Sequence, residues 1–132
     1  MTDEEAMAQH HQFLDEIAAK VRACYDRIIG HVTAVARVNG YAIATHGSLR
    51  RDIDLVAIPW IENAVSPEAL VEELQSLINA IEIDHDPESF AMLKKDVAPT
   101  VKPHGRIAVS IYLPYTYIDL SVMPRLVPTP SE

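Results

Sequence analysis

Residues 41–60 read YAIATHGSLRRDIDLVAIPW, and the rest of the chain is organised around this stretch. Tyr41 to Thr45 is a short apolar run. Asp52 to Ile58 is a second, rich in β-branched residues and strictly alternating. The pattern predicts strand, tight turn, strand. Side chains alternate along a strand, so Asp52 and Asp54 share one face while Ile53 and Leu55 point to the other, toward a core. Two carboxylates side by side repel each other. A hard divalent cation, Mg²⁺ or Mn²⁺, which takes oxygen ligands, resolves that conflict.

A second hairpin is predicted downstream. Ile107 to Leu113 is a strand, Pro114-Tyr115-Thr116 a turn, and Tyr117 to Met123 the return. In the returning strand Tyr117, Asp119 and Ser121 face one side, and Ile118, Leu120 and Val122 the other. A lone aspartate on a polar strand face is ordinarily just solvated. Asp119 gains weight from the acidic pair on the first hairpin.

Gly47-Ser48 stands just ahead of that pair. Glycine at a strand end lets backbone N–H groups approach a ligand closely, and the neighbouring hydroxyl adds a donor. Strand, Gly-Ser and then Asp-x-Asp resembles the nucleotidyltransferase superfamily with the polymerase-β-like fold. The resemblance covers the core from the first helix to Asp119. Members use a third carboxylate on a later strand, where Asp119 in YIDLSV stands in order. Only Leu49, Arg50 and Arg51 separate Gly-Ser from Asp52. This is shorter than in most members and implies a minimal single-domain form, with a loop that still fits a hairpin.

What the resemblance implies is a metal-dependent nucleotidyltransferase. It would move a nucleoside monophosphate from a nucleoside triphosphate to a hydroxyl acceptor. Asp52, Asp54 and Asp119 are its expected catalytic residues and metal ligands, and Gly47 and Ser48 its phosphate contacts. By charge, Arg50, Arg51, Lys102 and Arg106 are candidates to neutralise the phosphates. His104, beside a glycine, reads as a strand cap. The alternative is a catalytically inactive nucleotidyltransferase-like module that binds a partner, of the toxin–antitoxin type. A glycosyltransferase, which can also use Asp-x-Asp, needs a larger nucleotide-binding sheet. Ser48 lacks the Gly-x-Ser-x-Gly elbow of a hydrolase.

Composition fits one α/β domain over residues 1–124, followed by an extended or disordered proline-rich tail over 125–132. The chain has 132 residues, 48% of them hydrophobic, enough for a core. Its formal net charge of −8 argues against a broad nucleic-acid surface. One cysteine, Cys24, precludes an internal disulfide framework and reads as a buried thiol. No run reaches the ~18 apolar residues of a membrane span, and the acidic MTDEEAMAQHH start is not a signal peptide. A cytoplasmic protein is expected.

Thr2 to Glu5 offers a capping box for a first helix. Leu14, Ile17, Val21, Cys24, Ile28, Val32 and Val35 recur at helical spacing, and Asn39-Gly40 stops the run. A helix over 3–38 would be ~54 Å long. Either it breaks near Gly30, or its first turns project and pack on a second copy through Phe13 and Leu14. His10 and His11 read as surface. Trp60 is expected to pack on the sheet. Ser66-Pro67 opens a helix over 67–81 with Leu70, Leu74, Leu77, Ile78 and Ile81 inward. Asp84-His85-Asp86 reads as a solvated acidic loop, 92–96 as a short helical turn, and Lys94 and Lys95 as surface lysines. The sheet should be small, mixed or mostly antiparallel, with helices on one face.

Overall fold

Thr2 starts the longest element. Its hydroxyl accepts from the Glu5 N–H at 3.1 Å and donates to the Glu5 carboxylate at 3.0 Å, satisfying a backbone donor that a helix end leaves free. Helix α1 (Asp3–Val38) then runs unbroken through Gly30. The computed structural model describes residues 1–93 and 98–126. The expectations for Lys94, Lys95 and tail residues 127–132 lie outside the described residues. Burial on α1 begins only at Val21 and continues through Cys24, Ile28, Val32 and Ala36. Leu14 and Ile17 are half-buried, and Phe13 is 57% exposed. The first half of the helix therefore extends past the domain, because the sheet beneath it is too narrow to cover ~54 Å. His10 and His11 stand on that exposed half.

Five strands form one mixed sheet in the order β1-β2-β5-β4-β3. They are β1 (Tyr41–His46), β2 (Ile53–Pro59), β3 (Thr100–Val101), β4 (Ile107–Leu113) and β5 (Thr116–Val122). Both predicted hairpins are present, and β3 adds a short edge strand that the sequence pattern did not announce. All neighbours are antiparallel except β2 and β5, which pair in parallel. Alternation is strict. Ile53, Leu55 and Ala57, then Ile107, Val109, Ile111 and Leu113, then Ile118, Leu120 and Val122 are all buried under α1 and α2. The opposite face has no helix packed on it among the described residues.

Helix α2 (Pro67–His85) is capped by Ser66, whose Oγ accepts from the Ala69 N–H at 3.2 Å. It extends four residues beyond the apolar repeat. The cause is Glu82, 2% exposed, which takes two hydrogen bonds from the Arg27 guanidinium of α1, at 3.1 and 2.9 Å. Asp84 and His85 thus belong to the last turn of α2 and not to a loop. Asp86 accepts from the Ser89 N–H and caps α3 (Pro87–Ala91). The Ser89 side chain first, then the Ser89 N–H, hold the Asp86 carboxyl below its ordinary pKa. Phe90 of α3 is buried.

Trp60 corrects its expectation. It is 61% exposed and lines a surface hollow with Arg37 and Ile43. Strand β1 is the sheet edge, so no further strand or helix is available there to cover the indole. No helix among the described residues is long and apolar enough to cross a membrane.

Cys24 is buried as expected, and burial first, then the Glu82 carboxylate, push its pKa up to about 12. At pH 8.5 an ordinary thiol is about half ionised, whereas Cys24 stays protonated. Iodoacetamide should therefore leave Cys24 unmodified in the native protein and label it in urea. A raised folded-state pKa contributes stability that is complete below the unfolded value and is lost as pH rises through the folded one. The urea midpoint should accordingly fall with pH between about 9 and 12, and Cys24→Ala should flatten that slope.

Candidate metal centre

Three side chains meet on the open face of the sheet. In the parallel register Asp54 of β2 stands opposite Asp119 of β5. Asp52 lies one residue before β2, in the loop, and not in the strand as predicted. One carboxylate oxygen from each of Asp52, Asp54 and Asp119 lies within 4.8 Å of the others, and all three residues are half-buried. This set can hold a metal ion. Oxygen-only donors suit a hard divalent cation.

Neighbours fix the geometry. Ser110 of β4, the cross-strand partner of Asp119, donates its hydroxyl to Asp119 Oδ1 at 3.0 Å. His46 is the cross-strand partner of Asp54. Burial raises the Asp54 pKa, the Asp52 and Asp119 carboxylates raise it further, and His46 opposes them. The Tyr117 hydroxyl is pushed up by the adjacent Asp52 carboxylate. Sequence reasoning did not single out Ser110 or His46. Alternation along β4 was the signal for Ser110. For His46 it was the antiparallel count outward from the turn.

Gly47 follows His46 with φ +78°. A methyl group placed there would lie 3.2 Å from Asp54 Oδ2. Its identity thus answers both to the left-handed backbone and to the space the carboxylate needs. Gly47→Ala should cost about 1–2 kcal/mol of stability and weaken divalent-cation affinity by shifting Asp54, as measured by urea unfolding and Mn²⁺ titration.

The remaining candidates divide. Ser48 is exposed in the same loop. Arg50 pairs with Asp15 of α1 at 2.8 Å. Arg51 is exposed, and its carbonyl accepts from the Thr116 hydroxyl at 2.8 Å, tying the loop to β5. Lys102 and Arg106 line a cleft of about 440 Å³ together with His46, Asp54, Ser110 and Asp119. Arg106 also donates to Ser121 Oγ at 2.9 Å. His104, between them, is exposed with φ +66°. The structure therefore brings the three aspartates together with Gly47, puts two of the four cations in the adjoining cleft, and turns Arg50 toward α1. No protein-family model, curated protein or solved structure matches the chain, so the site is read from its own geometry.

Proposed function

We propose that the protein is a metal-dependent nucleotidyltransferase, moving a nucleoside monophosphate from a nucleoside triphosphate to a hydroxyl acceptor. The observation that carries this reading is the convergence of Asp52, Asp54 and Asp119 on one open sheet face, within 4.8 Å. Asp54 lies directly against a glycine whose backbone a phosphate can approach. Mg²⁺ or Mn²⁺ held by these carboxylates would neutralise charge on the attacking and leaving oxygens of an in-line displacement. Asp119, oriented by Ser110, accepts the proton of the acceptor hydroxyl. Gly47 and Ser48 receive the triphosphate, and Lys102 and Arg106 supply the positive charge of the cleft. The dependence on nucleotide triphosphate and the single unpaired cysteine fit a cytoplasmic protein.

The exposed first half of α1 supports a second reading, an inactive nucleotidyltransferase-like module whose work is to bind a partner. It also supports a homodimer in which Phe13 and Leu14 are covered by a second copy. One experiment separates enzyme from module: equilibrium binding of a fluorescent nucleoside triphosphate with and without Mg²⁺. Metal-dependent binding supports the transferase, and its absence in both Mg²⁺ and Mn²⁺ removes it.

A further inference from the structure

The cleft beside the three aspartates has two ends with different chemistry. Asp54, Asp119 and Ser110 form one end, and Lys102 and Arg106 the other. Neither cation has a carboxylate partner within ion-pair distance among the described residues. Small side chains, Ala108 and Ser121, also line the cleft. In a chain of net charge −8, two cations facing into one cleft with no carboxylate partner among the described residues are a recognition feature for an anion.

That anion is not the donor triphosphate. Gly47 lies one residue beyond the Asp54 row on β1, while Arg106 is anchored on Ser121 in the row of Val56 on β5. Three residues along the strands and two strands across separate these points, roughly 14 Å by strand geometry. A triphosphate seated at Gly47-Ser48 with its α-phosphate at the aspartates extends away from Arg106. Two separate anionic groups are therefore accommodated, one on each side of the carboxylates.

We propose that the acceptor is a small hydroxylated molecule carrying one anionic group, phosphate or carboxylate, bound by Lys102 and Arg106 with its hydroxyl directed at Asp119. This rests on the nucleotidyltransferase reading and names the other substrate of that site. Ser121 and Asp119 are two residues apart on β5, ~7 Å, so the acceptor's anion and its reacting hydroxyl are separated by about the length of a short sugar or polyol. The cleft volume of about 440 Å³ falls within the ~300–1,000 Å³ of small-molecule sites. A nucleic-acid acceptor would need an extended basic face. In the reaction the acceptor oxygen bonds to the α-phosphorus and its proton passes to Asp119. The bond from the α-phosphorus to the bridging oxygen breaks, and its electron pair leaves on pyrophosphate.

The test uses the full chain in Mg²⁺ with ribose 5-phosphate, gluconate and neutral ribose as acceptor probes, followed by ligand-observed NMR. Inorganic tripolyphosphate reports on the donor side. One or both anionic probes should bind and ribose should not. Arg106→Gln and Lys102→Gln should each weaken the anionic probe about tenfold, as expected for loss of a charge-assisted contact. The charge-keeping Arg106→Lys should retain most of the binding. Tripolyphosphate should bind these variants as it binds the parent. If the Gln variants weaken tripolyphosphate as much as ribose 5-phosphate, the cations serve the donor, and the acceptor proposal falls while the transferase reading stands. Ribose binding as well as its phosphate would also overturn the proposal. So would Arg106-dependent binding of a single-stranded oligonucleotide in place of both small anions. A parent that binds no tripolyphosphate with Mg²⁺ overturns the transferase reading, and the proposal with it.

Discussion

Asp54→Asn should abolish the stabilisation that Mg²⁺ and nucleoside triphosphate together are expected to give the parent, while the fold survives. A ligand that binds only the folded state, at a hundred times its Kd, stabilises by about 2.7 kcal/mol. For a domain of this size that raises Tm by roughly 8–10 °C. Asp54 stands between Asp52 and Asp119 in the register that brings the three together. Removing its charge would take away one of the three carboxylates that could hold an ion. The metal-free variant should melt no lower than the parent. A carboxyl whose folded-state pKa is raised contributes stability below its unfolded pKa, near 4, and loses it as pH rises through the folded value. At neutral pH the metal-free parent bears that repulsion and the asparagine variant does not. Differential scanning fluorimetry with and without Mg²⁺ and nucleotide measures both effects. An Asp54→Asn protein that keeps the full ligand-dependent shift removes Asp54 from the site.

The largest loss of stability should follow Arg27→Met. Glu82 is 2% exposed, and its carboxylate accepts two hydrogen bonds from the Arg27 guanidinium, whose own pKa is raised by that contact. Stripping one partner from a buried ion pair costs about 3–5 kcal/mol, because the survivor stays desolvated and uncompensated. The double replacement Arg27→Met with Glu82→Leu should recover most of that, since apolar side chains of similar volume fill the same space. Urea denaturation of the two variants gives the comparison. A single-variant cost under about 1 kcal/mol would contradict the burial of Glu82.

Much of this fold was legible because its elements obey single periods. The two hairpins, the helix-facing residues of β2 and β5, the Thr2 and Ser66 caps and the span of α1 follow from alternation and from steps of three and four, whereas the pattern leaves open whether α1 breaks at Gly30. The pattern singles out the three aspartates too, Asp52 and Asp54 by strand period and Asp119 by its place on a second alternating strand, although Asp52 itself lies just before β2. What escaped depends on contacts between distant segments. Helix α2 outruns its apolar pattern because Glu82 is buried against Arg27, and a carboxylate does not read as core until its partner is seen. Trp60 reads as packing on the sheet, yet it lies just past the end of β2 and is 61% exposed. The contact of Ser110 with Asp119 and the cleft position of Lys102 and Arg106 emerge only when β4 is laid beside β5. The two-residue β3 is too short to carry a period.

The single parallel pairing, β2 with β5, also sets an order of events. As the polypeptide leaves the ribosome, the first hairpin and both long helices are complete well before the strand that must lie beside β2. Until then the inner edge of β2 has unpaired backbone groups, and an open strand edge is a place where other chains add on. Closing it requires a contact between residues 65 apart in sequence, Asp54 and Asp119, which long-range strand pairing makes slow. The strand that arrives last therefore seals the sheet and delivers the third carboxylate in the same step. A chain able to capture metal at this face has, by that fact, finished folding.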